Sequence, residues 1–366
     1  MKQSHLKQNP LIKISIALSA IIIMINLFPS LIVAAQESSL LEAPINIDNQ
    51  DIDTKYLLRD GHLMVPALFF KNTGAKVNWN EQFESVVFQV GEKKVAAPIG
   101  KTYTDIFNPD TRQWERGELS VSPLSANGQT FVPLREIANE LGFNVHYRPD
   151  LKRTIIQTNI PRVGKRIGSG GTKEKLVALT FDDGPDLTYT PQILDILKDK
   201  GVKATFFVVG NQIQKYPEMM QRIVKEGHAL GNHTFSHPKL PNQTTAEVTE
   251  ELLTTQEAIS DTVGRRPDLF RPPYGMLTKA DEQVLHDYGF RIVLWSVDTL
   301  DYTGLAAENI LEIVERDISP GGIVLQHNID TNPHLLDGTV EALPQMIDKL
   351  RAQGYSFVTV QTLLDE

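Results

Sequence analysis

The residues best suited to chemistry in this chain are carboxylates and imidazoles gathered in short clusters. Asp182 and Asp183 are adjacent in Thr180-Phe181-Asp182-Asp183-Gly184-Pro185. Neighbouring carboxylates raise each other's pKa unless a cation or donor compensates, and a metal ion is the simplest compensation. A solvated Asp-Gly turn is the competing reading. His233 and His237 lie at i and i+4 in His233-Thr234-Phe235-Ser236-His237. On a helical turn that spacing puts both imidazoles on one face, where they can chelate one cation. Either pattern alone is weak; the two together favour a metal. Asp plus two His leaves coordination positions open for water and substrate, as a catalytic site requires. The same donors suit zinc or a ferrous oxygenase, so they do not choose the metal.

Three more clusters follow. In Phe270-Arg271-Pro272-Pro273-Tyr274-Gly275 two prolines fix the backbone. Arg271 is thereby held to clamp a carboxylate, and the Tyr274 amide to donate to an oxyanion. The others are Trp295-Ser296-Val297-Asp298-Thr299-Leu300-Asp301-Tyr302 and Leu325-Gln326-His327-Asn328. A lone His at a strand end is ordinarily structural or on the surface. His327 gains weight because its sheet already carries a candidate metal site.

These clusters need a scaffold that brings strand ends together. From residue 175, apolar runs at 176–181, 204–209, 229–232, 269–271, 292–297, 323–326 and 357–360 read as strands. Helical stretches at 190–200, 217–226, 245–263, 279–288, 306–317 and 340–352 lie between them. Strands separated by single helices imply a parallel sheet with right-handed crossovers. The expected class is α/β, an irregular (β/α)7-type barrel, with the clusters at the C-terminal strand ends where barrel chemistry sits.

Upstream, the chain reads as four segments. Lys2, Lys7 and Lys13 precede an apolar run at 14–28, broken by Pro29 and Ser30 before Val33-Ala34-Ala35. Residues 1–35 are therefore expected to be a cleaved export signal or a membrane anchor. Residues 36–55 are polar and acidic and read as a linker. Residues 56–158 hold a degenerate repeat and form a smaller α+β domain. Asp60-Gly61-His62-Leu63-Met64-Val65-Pro66 is echoed by Asn127-Gly128-Gln129-Thr130-Phe131-Val132-Pro133, and each copy continues into a helix and two strands. Residues 159–174 are Gly-rich and basic and read as a flexible hinge.

Composition narrows the classes. The 366 residues carry a formal charge of −9, which argues against a phosphate-tracking nucleic-acid binder. Cysteine is absent, which excludes disulfides, thiolate metal sites and a Cys nucleophile.

Residues 175–366 resemble the polysaccharide deacetylase family (carbohydrate esterase family 4, the NodB homology domain), with TFDDGP, HTFSH, RPPYG, DTLDY and LQH in family order. The resemblance implies that Asp183, His233 and His237 bind a divalent metal, most often zinc, with Co2+, Mn2+ or Ni2+ as substitutes. It implies Asp182 as general base, oriented by Arg271, and His327 as general acid, tuned by Asp301. The Tyr274 amide becomes the oxyanion donor, and Leu325 and Tyr302 line the acetyl-methyl pocket. The chain departs from the family at Tyr302, commonly Trp, and at Asn328, often Asp. Residues 56–158 resemble the copper amine oxidase N-terminal-like domain; His62 and His146 have no ligand spacing, so no copper is expected, and its ligand is not named. The expectation is a hydrolase that removes N-acetyl groups from N-acetylglucosamine units of an envelope or extracellular polysaccharide, peptidoglycan first. An O-acetyl xylan esterase and a catalytically silent glycan-binding protein are the alternatives. Export places it outside the cytoplasm, secreted or on a Gram-positive type of cell envelope.

Overall fold

Period-two alternation of apolar residues builds the first half of the molecule. The structure, a computed structural model, describes residues 40–329 and 331–365; the segment expected to direct export lies outside the described residues. The repeat is visible as paired strands: His62–Pro66 runs antiparallel to Gln129–Pro133, with Val65 opposite Val132. The first copy continues as a 3-10 turn at Ala67–Thr73 and the second as the α-helix Leu134–Glu140. These strands belong to a seven-stranded sheet, and a five-stranded antiparallel meander runs from Lys76–Asn80 to Gln113–Glu118. Phe70, Phe88, Val132 and Ile137 fill one core cluster of this module.

The segment expected to be a linker is instead two strands, Leu41–Ile47 and Gln50–Arg59. Asp48 and Asn49 both have positive φ, 48° and 69°, as a two-residue hairpin turn of the primed type requires. Ile45 and Ile47 alternate into the core, and the polar residues between them hide that pattern in the composition.

In the second half a continuous parallel sheet starts from Leu176–Asp182, which is buried along its whole length. In hydrogen-bonded order the strands are Arg166–Ile167, Arg291–Val293, Leu269–Phe270, Ala229–Asn232, Thr205–Val208, Leu176–Asp182, Gly322–His327 and Val297–Asp298, with Ser356–Phe357 branching from Leu176–Asp182. Arg291–Val293 and Val297–Asp298 stand near opposite ends of that path, yet only residues 294–296 separate them in the chain. The covalent chain thus closes the sheet into an irregular barrel. For the same reason the single strand expected at 292–297 is two strands, broken at the barrel seam.

The expected hinge is docked. Arg166–Ile167 pairs in parallel with Arg291–Val293, and Gly170 N–H donates to Gly321 O at 2.8 Å. Arg162 and Arg166 both reach Glu282, whose side chain is 3% exposed. The two modules form one compact unit from Leu40 to Glu366. A buried lysine joins them: Lys71 Nζ donates to Leu240 O at 2.8 Å, to Gln243 O at 2.7 Å, and lies 2.7 Å from Asp281 Oδ1.

Candidate active site

Strand ends deliver the candidate residues to one pocket of about 390 Å³. Asp182 ends its strand and is the register partner of His327 on the adjacent strand. Asp183 follows at φ 78°. His233 follows the strand Ala229–Asn232, and Arg271 follows Leu269–Phe270. Asp301 opens a 3-10 turn just past Val297–Asp298. Parallel strands aim all of these at the same mouth of the barrel.

His233 and His237 converge, though not on a helix. Thr234 and His237 have φ of 68° and 59°, which breaks helical geometry. The loop is held from outside: Glu251, on the helix Thr245–Val263, accepts hydrogen bonds from the amides of Phe235 and Ser236 at 2.7 and 2.8 Å. His237 N–H donates to Thr234 Oγ1 at 3.1 Å. The i, i+4 spacing was therefore informative for a different reason from the helical one.

Donor atoms of Asp183, His233 and His237 all lie within 4.8 Å of one another. His233 Nδ1 sits 2.7 Å from Arg271 O, a group that can only accept, so Nδ1 carries the proton and Nε2 presents its lone pair. That Nε2 is 3.3 Å from Asp183 Oδ1, and His237 Nε2 is 3.1 Å from the same buried oxygen. Lone pairs converging on one point, with a second-sphere carbonyl fixing the tautomer, fit a divalent cation. Burial works against charge on Asp183, but when protons rather than a cation occupy His233 and His237, their hydrogen bonds and charge outweigh it and hold the carboxyl well below the ordinary carboxylate range.

Asp182 is braced by a cation. Arg271, fully buried, donates Nη1–H to Asp182 Oδ1 at 2.7 Å and to Thr180 Oγ1 at 2.8 Å. Nη2–H donates to Leu294 O at 3.0 Å and Nε–H to Val293 O at 3.4 Å, the carbonyls at the barrel seam. The guanidinium also lies over the Phe207 ring, 4.1 Å from its centroid. Burial lowers the Arg271 pKa, opposed by the charge and hydrogen bond of Asp182. Asp182 Oδ2 points toward the metal cluster, 3.8 Å from His233 Nε2.

His327 is the second braced group. Its Nδ1 lies 2.7 Å from Asp301 Oδ1, and its amide donates to Asp301 Oδ2 at 2.9 Å. Thr339 Oγ1 also donates to that Oδ2, at 3.0 Å. Burial would depress the imidazole, but the charge and hydrogen bond of Asp301, helped by Asp183 and Asp182, push it up to about 9. The proton on Nδ1 is fixed by Asp301, which leaves Nε2 to exchange one with the pocket.

Tyr274 stands at φ 59°, and its amide has no acceptor among the described residues. Its ring packs on His237 with centroids 4.8 Å apart, while Tyr302 meets His327 edge-on at 5.4 Å. Tyr302 and Leu325 both line the pocket. Arg271 and Asp301 do not; each stands behind the residue it holds. Asn328 is buried and structural: Oδ1 accepts from Gly184 N–H at 3.1 Å and Nδ2 donates to Thr190 Oγ1 at 2.9 Å. Trp295 and Asp298, from the same cluster as Asp301 and Tyr302, also line the pocket. Thr180 stands in the first quoted cluster, but its brace on Arg271, like those of Glu251 and Thr339, emerges only from the fold.

Comparison with known proteins agrees with this geometry. The polysaccharide deacetylase family matches residues 169–293, and the copper amine oxidase N-terminal domain matches 45–156 and 110–173. A peptidoglycan-N-acetylglucosamine deacetylase of Bacillus cereus is 42% identical over 195 residues, covering 53% of this chain and 70% of that protein. PgdA, a peptidoglycan-N-acetylglucosamine deacetylase of Listeria monocytogenes, is 32% identical over 329 residues, covering 86% of this chain and 64% of its own length. The crystal structure of the Bc1960 peptidoglycan N-acetylglucosamine deacetylase superposes with a TM-score of 0.53 at 40% identity, over 55% of this chain and 92% of that one. A match that takes in most of a relative's length reaches far beyond five short motifs, and it makes this chain a member of the polysaccharide deacetylase family.

Proposed function

We propose that the chain hydrolyses the N-acetyl group of N-acetylglucosamine units in peptidoglycan, releasing acetate and leaving a free amine on the sugar. The observation that carries this is the pairing of two braced groups around one candidate metal cluster. Asp182, on Arg271, and His327, on Asp301, are register neighbours at the mouth of one pocket. The names of the relatives supply the substrate.

Asp183, His233 and His237 would hold the cation, for which zinc is the best match to one carboxylate and two imidazoles. When bound, such an ion polarises a carbonyl and acidifies water. Asp182 accepts the proton of the attacking water on Oδ2, the oxygen that Arg271 leaves free. The Tyr274 N–H donates to the oxyanion that develops on the acetamide. His327, protonated at neutral pH with its pKa near 9, delivers a proton to the leaving amine from Nε2. Tyr302 and Leu325 pack on the acetyl methyl. Export to the cell envelope, read from residues 1–35, brings the enzyme to that polymer.

The test is acetate release from peptidoglycan, chitin oligomers and acetylxylan, side by side, with and without chelator. Release from peptidoglycan that chelation abolishes and zinc restores is expected. Release from acetylxylan alone, or insensitivity to chelation, would overturn the reading.

A further inference from the structure

A second cleft, of about 540 Å³, lies where the N-terminal module meets the segment that follows His237. Trp79 and Asn78 line it from Lys76–Asn80, an edge strand of the five-stranded sheet. Gln129 and Thr130 come from the second repeat copy, and Pro241 and Asn242 from the deacetylase half. Trp79 is 44% exposed and offers its indole to the cleft. The charged residues in the lining are Asp53 and Lys55, one of each sign. Apolar side chains such as Leu68, Phe69 and Pro241 alternate in the lining with amides and hydroxyls, and Trp79 adds an open aromatic face; such a mixed wall suits a neutral ligand with an apolar face and hydrogen-bonding edges. A sugar ring has both.

The cleft is tied to the catalytic pocket through the chain. Pro241 is four residues beyond His237, so their Cα atoms lie at most roughly 14 Å apart. Its wall is held in place, because Lys71 grips Leu240 O and Gln243 O. We propose that this cleft is an outlying subsite for the glycan strand whose acetamido group occupies the catalytic pocket. The inference rests on the deacetylase reading and adds to it a role for the N-terminal module. Two linked contacts on one polymer raise the affinity for long strands and leave short ones unaffected.

Binding tests it directly. Calorimetry on the metal-loaded full chain carrying Asp182→Asn, titrated with an N-acetylglucosamine hexamer and with the dimer, reads the two sites without turnover. Adding Trp79→Ala is expected to weaken the hexamer about tenfold and leave the dimer unchanged. Gln129→Ala, an exposed change on another wall, should act in the same direction. Unaltered hexamer affinity in both variants, or parallel loss of the dimer, overturns the subsite. In the otherwise unmodified chain, Trp79→Ala should raise KM for long strands while kcat holds. Hexamer binding that depends on Trp79, with no acetate released from any glycan, would strike the deacetylase reading alone.

Discussion

Two buried cation–carboxylate pairs hold this molecule together, and they end differently. At the seam between the modules, both oxygens of Asp281 are turned inward: Oδ2 accepts from Thr278 N–H and Oγ1–H, and Oδ1 faces Lys71 as an ion pair. Lys71 in turn donates to Leu240 O and Gln243 O and stands as the ion-pair partner of Asp281 Oδ1 at 2.7 Å, so the charges cancel inside the seam. In the barrel, Arg271 is as deeply buried, but Asp182 gives it one oxygen and keeps Oδ2 toward the pocket. A carboxylate with both oxygens occupied has none left to take a proton from the pocket. One with an oxygen to spare can move a proton.

The contrast can be broken at either end. Asp182→Asn keeps a neutral acceptor for Arg271 and removes the basic oxygen, so kcat per folded molecule should fall about 10²–10⁴-fold, while the loss of the counter-charge to the buried guanidinium lowers Tm as well. Near-wild-type acetate release would show that the spare oxygen does no chemistry. Lys71→Met leaves Asp281 buried without its cation and should cost about 3–5 kcal/mol in urea unfolding, with kcat per folded molecule nearly unchanged. A fall in kcat as large as that of Asp182→Asn would erase the distinction between the two pairs.

A smaller effect concerns His327, whose pKa is raised in the fold to about 9. A raised value means the folded protein binds that proton more tightly than the unfolded chain. Both the associated stability and the acid function are therefore full below about pH 6.5 and fade as pH rises through about 9. Asp301→Asn should move the alkaline limb of kcat down by about 1–3 pH units. A limb that stays in place in the pH–rate profile would remove Asp301 from that role.

The site was more legible in the sequence than its supports. Asp182, Asp183, His233, His237, Arg271 and His327 sit in short clusters whose composition already suggests chemistry. Helix boundaries were also close, with 245–263 matched by the helix Thr245–Val263, because Thr244 and Glu247 form a capping box. The braces were not legible: Glu251 reaches the 233–237 loop from another element, and Thr339 reaches Asp301 from 38 residues away. The docking of 159–174 was hidden for the same reason, since a Gly-rich, basic stretch looks flexible until Glu282 and a strand edge are placed beside it. The hairpin at Asp48-Asn49 is a different case, with its turn and alternating isoleucines present in the sequence but outweighed by acidic composition.

The guanidinium of Arg271 spans the point where the barrel closes, with Leu294 and Val293 carbonyls on one side and Asp182 on the other. With the seam open, the guanidinium would lose both carbonyls that fix its Nε and Nη2 edge, and the brace on the aspartate would loosen. Competence thus depends on closure of the barrel. Turnover in this enzyme is then a certificate that the barrel is complete.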